Sequence, residues 1–402
     1  MTPTGPAEWS TSATGTGDPG EPRPLVGLRV IELAHWVAGP ATGGVLADWG
    51  ADVVKVEPVG GEPMRHLFPP SEGGPAHSPS FSAVNRAKRS IALDLTDPSD
   101  RATFERLVGT ADVLLTNLRP QALESLDLAP DAVRARHPRL VYCSVTAYGW
   151  EGPERGAAGY DLAGFFARSG VLTQITTRGA APAPLMNGVG DMFTAMSAAA
   201  GILAAVVERA STDRGRFVEA SLLRTGMWSI SGELGVRAAG GNARPVAPRD
   251  DCPTPLFNVY RAADDRWFVL VGVEAERHLP AVLAAIGRPE LATDERFASA
   301  RAITRHRREI IAILDESFAT RTLDEWADDF AAHDVWWGPV QTPQDVLDDP
   351  QADAAGGFTR LTGSGALTVD APIRFDHHRR AEVRDAPLPD EHRAALLSEL
   401  DR

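Results

Sequence analysis

The segment Asn187-Gly188-Val189-Gly190-Asp191 sets a carboxylate between a glycine-flanked turn and a run of very small residues. From about Met192 to Arg209 that run is helical in composition, with Ala195, Ala198, Ala199, Ala200, Gly201, Ala204 and Ala205 crowding one side. Asp191 then stands at a helix N-terminus, where free backbone N–H groups and the helix dipole favour an anion. One reading is a plain N-cap aspartate. The other is a carboxylate nucleophile: Gly188 and Gly190 strip side chains from the approach, as a large ligand requires, and N–H groups after Gly190 could hold an oxyanion.

Three further groups carry possible chemistry. Gly159-Tyr160-Asp161 is either a half-buried aromatic beside another N-cap or a second acidic point lining the same site. In His35-Trp36-Val37-Ala38-Gly39-Pro40, His35 is either a base or a structural histidine at a strand end, and Val37 offers no side-chain hydrogen bond. Arg65, Arg86, Lys88, Arg89 and Arg119 are the basic candidates for a phosphate-bearing ligand, against the alternative of a solvated charged face.

The elements that must position these groups alternate. Arg29–Leu33 and Asp52–Val56 read as short buried strands around a helical stretch, Ala41–Trp49. Ser90–Leu95, Val113–Thr116 and Leu140–Thr146 add strands, with helices at Ser99–Gly109 and Leu123–Arg136. This predicts an α/β fold with a doubly wound, mostly parallel sheet, which places ligands at the loop His35–Pro40 after its first strand. Gly235–Pro255, rich in Gly, Pro, Arg and Asp, breaks the alternation. Beyond it, a hairpin (Phe257–Tyr260, Trp267–Gly272) and helices at Glu276–Ile286, Thr304–Ala319 and Leu323–Ala332 predict a second, smaller α+β domain. The expected organisation is a disordered tail over 1–24, a large domain over 25–225, a linker and active-site loop over 226–255, a small domain over 256–335 and a C-terminal segment over 336–402. Trp336-Trp337 reads as core packing, with a flat ligand contact as the alternative.

Composition narrows the function. With 402 residues, 43% hydrophobic and 23% charged, the chain can bury a sizeable core. A net charge of −14 argues against nucleic acid or an anionic membrane as partner. Only Cys143 and Cys252 are present, which leaves no disulfide framework or cysteine-rich metal site and fits a reducing cytoplasm. The opening Thr, Ser, Gly and Pro residues lack the apolar core of a secretory signal, and no run reaches the ~20 apolar residues of a membrane span. Gly39, Gly43 and Gly44 do not form the G-x-G-x-x-G of a nicotinamide site.

Leu25–Leu33, Ala38–Ala41, Leu46–Glu57, Asn85–Asp94, Asn117–Pro120, Gly159–Asp161, Asn187–Asp191, Gly201–Ala205, Gly215–Ala220 and Gly338–Val340 follow one another in a familiar order. On these segments, from Leu25 to about Phe358, the chain resembles class III CoA-transferases, the CaiB/BaiF family within the formyl-CoA transferase and α-methylacyl-CoA racemase superfamily. The resemblance implies that Asp191 is the nucleophile and carries the acyl group and then CoA as anhydride and thioester. It implies a nearby acidic role for Asp161, with Tyr160 standing where the racemase branch has a histidine. It also implies acyl-CoA and a carboxylic acid as substrates, no permanently bound cofactor or metal, and an intertwined homodimer. The stretch Asn85–Ser90 would lie along the adenosine phosphates, which favours Lys88 and Arg89, with Arg65 and Arg119, as CoA-binding residues. Two departures stand out: Val37 where some transferases have glutamine, which suggests a more apolar pocket, and no glycine-only loop between Gly240 and Pro255. The racemase alternative requires a base on each face of an α-carbon, for which the phenol of Tyr160, with its usual pKa of ~10, is a poor substitute for imidazole.

Overall fold

The computed structural model describes residues 23–67, 78–183, 188–242, 246–375 and 383–402. The expected tail, apart from Arg23 and Pro24, lies outside these residues, as does Asn187.

Six short apolar runs become strands: β1 (Arg29–Leu33), β2 (Asp52–Glu57), β3 (Arg89–Ala92), β4 (Val113–Thr116), β5 (Val141–Thr146) and β6 (Phe217–Ser221). They form one sheet in the order β3-β2-β1-β4-β5-β6, with every neighbouring pair parallel. Both faces are buried, so adjacent side chains diverge into different cores. On one face Val30, Val53, Val113, Val141 and Cys143 pack with Ala198, Ala199, Ile202 and Ala205. On the other, Ile31, Leu33, Val54, Leu114 and Tyr142 meet Phe104, Leu107, Leu123 and Leu396.

The small-residue helix runs from Val189 to Thr212, starting three residues before the expected Met192. It buries Gly190, Thr194, Ala195, Ala198, Ala199, Ile202 and Ala205, whereas Ala200 and Ala204 face outward, as a 3.6-residue period dictates. By length and composition this helix could cross a bilayer, but its alanine stripe packs on the sheet instead. The expected helix Leu123–Arg136 is two helices, Pro120–Ser125 and Pro130–Arg136, each opened by a proline.

The chain divides into two units. The larger takes Met1–Leu172, Ala183–Ala243 and Pro350–Arg402; the smaller takes Thr173–Pro182 and Arg244–Asp349. The stretch expected to begin a linker at residue 226 is instead helical, at Leu222–Ser229 and Ser231–Ala238. In the smaller unit β7 (Val259–Arg261), β8 (Trp267–Leu270) and β9 (Trp337–Pro339) form an antiparallel sheet over Tyr260, Phe268, Phe318, Trp326 and Phe330. Trp337 therefore belongs to this sheet and packs on Phe268 and Phe330, so the return to the larger unit comes later than residue 336. Arg249 is paired with Asp315 and lies over the Tyr260 ring.

Candidate active site

Strand order reverses between β1 and β4, and the loops leaving their carboxyl ends diverge there. One amide ties the two loops together. Asn117 Oδ1 accepts the N–H of His35 at 2.9 Å, and Asn117 Nδ2 donates to the carbonyl of His35 at 2.6 Å. Beside this tie lies a cavity of about 480 Å³ lined by His35, Trp36, Val37, Ala38, Arg119, Tyr160 and Asp191, among others. Six of these, all but Trp36, are expected site residues, and the fold brings them together.

Asp191 owes its placement to two glycines and a second carboxylate. Gly188 opens the helix in the left-handed region at φ 70°, a conformation that a side chain would strain. A Cβ there would also lie 3.4 Å from both Asp191 Oδ2 and Val37 Cγ1. At Gly190 a Cβ would meet the Phe165 side chain at 2.5 Å, so only glycine allows this close packing. Asp191 is thus a first-turn residue, not the N-cap that the shorter expected helix implied. The buried Asp161 caps the turn from outside: its Oδ2 accepts the Gly190 N–H at 3.3 Å. Asp161 immediately precedes a π-helical segment, Leu162–Arg168, whose Phe165 supplies the surface under Gly190.

Burial, and then the nearby charge of Asp161, push the Asp191 carboxyl up to about 7. The group can therefore be ionised near neutral pH while staying poorly solvated, as suits a carboxylate nucleophile. N–H groups in the first helical turn have no intrahelical acceptor and point towards the same end. Burial lowers the pKa of His35 and so favours its neutral form.

Beneath the loop lies a buried charge network that the sequence did not reveal. Glu32, Glu57 and Glu62 are balanced by Lys55, Arg65 and Lys88. Three members hold the main chain of the loop. Lys55 Nζ donates to Ala34 O at 3.0 Å, Glu62 Oε2 accepts the Trp36 N–H at 2.7 Å, and Lys88 Nζ donates to Pro40 O at 2.8 Å. The only sequence signal was the charge of Glu32 and Lys55 inside otherwise apolar strands.

This network corrects the expected phosphate contacts. Lys88 is fully buried and pairs with Glu32 at 2.7 Å, so its ammonium has no open side for a phosphate. Burial draws its pKa down to about 8, against the opposing pull of Glu32. Arg65 is committed to Glu57 by two bonds of 2.6 and 2.7 Å. Arg89 is held between Asp52 and Glu399, and Arg86 by Asp48. Arg119 differs: it is exposed and lines the cavity. Among the described residues, no group of His, Cys, Asp and Glu is arranged to hold a metal ion.

A family model described as CoA-transferase family III matches residues 25–393. The chain belongs to this family. It is a CoA-transferase of the α/β type, and its relatives carry related activities. The chain is 30% identical over 381 residues to (R)-2-hydroxy-4-methylpentanoate CoA-transferase of Clostridioides difficile, covering 94% of this chain and 95% of that protein. It is 30% identical to cinnamoyl-CoA:phenyllactate CoA-transferase of Clostridium sporogenes, with 93% and 92% covered. Succinyl-CoA:mesaconate CoA-transferase of Haloarcula hispanica is 34% identical, with 92% and 95% covered. The crystal structure of a CaiB/BaiF family protein from Brucella suis superposes with a TM-score of 0.84 at 30% identity, covering 95% of this chain and all of that one.

Proposed function

We propose that this CoA-transferase moves CoA from an acyl-CoA thioester to a carboxylic acid through covalent intermediates on Asp191. The observation that supports this best is the placement of Asp191: a carboxylate with a pKa near 7, on a glycine-cleared helix turn, facing the switch-point cavity. A carboxylate oxygen of Asp191 attacks the thioester carbonyl; the C–S bond breaks and CoA thiolate leaves, giving a mixed anhydride. The thiolate then attacks the Asp191 carbonyl carbon, and the C–O bond breaks to release the donor acid as its carboxylate. The acceptor carboxylate attacks the resulting aspartyl-CoA thioester, displacing thiolate and forming a second anhydride. Thiolate attack on the acceptor's acyl carbon yields the new acyl-CoA and regenerates the Asp191 carboxylate. No proton is gained or lost overall. Main-chain N–H groups at the helix start, with nothing bulky at Gly188 and Gly190, are suited to the successive oxyanions.

Arg119 is our candidate for a CoA phosphate contact, and His35, Val37 and Ala38 for the wall facing the thioester. Tyr160, at the mouth, would border the acyl group, and CoA enters as substrate with no resident cofactor. The similarity to transferases named for organic acids supports a carboxylic acid as acceptor. We also place the enzyme in the cytoplasm as a homodimer. Exposed Phe193, Val207, Met227, Trp228 and Val236 supply apolar surface for a second copy. Light scattering that returned a ~43 kDa monomer at micromolar concentration would rule this assembly out.

The test of the mechanism is Asp191→Asn, nearly isosteric but without an anionic oxygen. It should abolish transfer, and hydroxylamine added during wild-type turnover should label the peptide that contains Asp191. Normal transfer by the variant, with no label on that peptide, defeats the mechanism. Wild-type α-proton exchange without any acyl transfer would instead support racemisation.

A further inference from the structure

We propose that Trp36 selects the acyl group, and that the group it selects carries an aromatic ring. This deepens the transferase reading and rests on it. Trp36 lies in the left-handed region at φ 65°, which is costly for a bulky side chain and free of cost for glycine. Such strain persists only where the surroundings enforce it, and it concentrates at functional sites. Here the surroundings do enforce it. The Trp36 N–H is held by Glu62, which is itself fully buried and paired with Lys55 at 2.8 Å. The residue before it, His35, is gripped on both its N–H and its carbonyl by Asn117.

What this backbone presents is an indole in the cavity wall. The Trp36 ring meets Tyr160 edge to face, with centroids 5.7 Å apart and planes at 84°. Two rings at right angles form a re-entrant corner, and a third ring fits there through the same offset and edge contacts. Among the other lining residues Val37, Ala38, Ala147 and Ala158 are small and apolar and offer no side-chain hydrogen bond, while His35, Asn117, Arg119, Thr146 and Arg155 supply polar side chains. A carboxylate-bearing or hydroxylated acyl tail gains no hydrogen bond from those four apolar side chains or from the Trp36 ring face, whereas a flat apolar ring packs against them.

Identity exchange tests this without knowledge of the natural acceptor. Full-length enzyme is given 3-phenylpropanoyl-CoA with labelled 3-phenylpropanoate, or butanoyl-CoA with labelled butanoate, and label entering the thioester is measured. The wild type should favour the aryl pair in kcat/KM. Trp36→Gly, which relieves the backbone strain and so should fold, should reduce the aryl-to-butanoyl ratio by about tenfold, mainly through KM. Trp36→Phe should restore part of that ratio. A wild-type preference for butanoate, or a ratio unchanged in Trp36→Gly, overturns the inference while leaving the transferase reading intact. Absence of exchange with both pairs likewise overturns the aryl preference, while the transferase reading stands or falls with the Asp191→Asn and hydroxylamine test.

Discussion

The N–H of Gly190 donates to Asp161 Oδ2 at 3.3 Å, one residue before Asp191 in the chain. This bond has two consequences for the same carboxylate. It fixes the turn that presents Asp191 to the cavity, and it brings a second negative charge close enough to raise the Asp191 pKa. One residue from a different element therefore fixes the position of Asp191 and adds to the effect of burial on its ionisation.

The pH dependence follows. Asp191 must be ionised to attack, so kcat/KM should rise with pH and level off above about 7, the value to which burial and Asp161 lift it. Asp161→Asn keeps an oxygen to accept the Gly190 N–H but removes the charge, so the acid limb should move to lower pH. Burial, the larger cause, remains, and the limb should stay above the ordinary carboxylate range. A limb that does not move in Asp161→Asn would mean that the Asp161 charge does not reach Asp191.

Gly190→Ala tests the packing under the turn. Its Cβ would sit 2.5 Å from Phe165 Cβ and Cγ, so the helix start or the π-helical segment must shift. We expect a loss of about 1–3 kcal/mol in urea unfolding and a drop in kcat larger than the stability change alone explains. Phe165→Gly in the same chain, which removes the Cβ as well as the ring, should recover part of the activity by removing the clash.

Lys88 and Arg119 should respond in opposite ways. Lys88→Met leaves the Glu32 carboxylate with one of its two buried cations and should destabilise the fold by about 3–5 kcal/mol. Arg119→Ala removes an exposed guanidinium from the cavity rim and should leave the urea midpoint nearly unchanged. It should weaken acyl-CoA binding by about 1.5–3 kcal/mol if Arg119 holds a phosphate. The reverse pattern would return the phosphate role to Lys88.

Legibility in the sequence depended on whether an interaction was local. β1 and β4 were readable to the residue because short, mainly apolar runs, Val30-Ile31 with Leu33 in one and Val113-Leu114-Leu115 in the other, buried on both faces, admit few other states. The helix after Asp191 was readable in its small-residue stripe but not in its start, because Asp161, 29 residues upstream of Gly190, accepts the Gly190 N–H in the first turn. The basic cluster Arg86-Lys88-Arg89 was misleading for the same reason. Its partners Asp48, Glu32 and Asp52 lie 37 to 56 positions away, and a charge count cannot show that they neutralise it. Trp36 gave no local signal at all, since its left-handed backbone is imposed by Glu62.

Stability should carry the imprint of the raised Asp191 pKa. Unfolded, an aspartate titrates near ~3.9; folded, Asp191 titrates at about 7. Between these values the folded state holds a proton that the unfolded state has released, so folding is favoured below ~4 and loses that contribution as pH rises through 7. Above about 7 the wild type bears the full cost of a poorly solvated charge, on the order of 2–4 kcal/mol. Asp191→Asn never ionises and escapes that cost. Its unfolding midpoint should match the wild type near pH 4, rise above it progressively up to pH 7 and keep a constant lead at pH 8. Equal midpoints at pH 8 would mean that Asp191 ionises without penalty, and the pH limb of activity would then have to be assigned to another group.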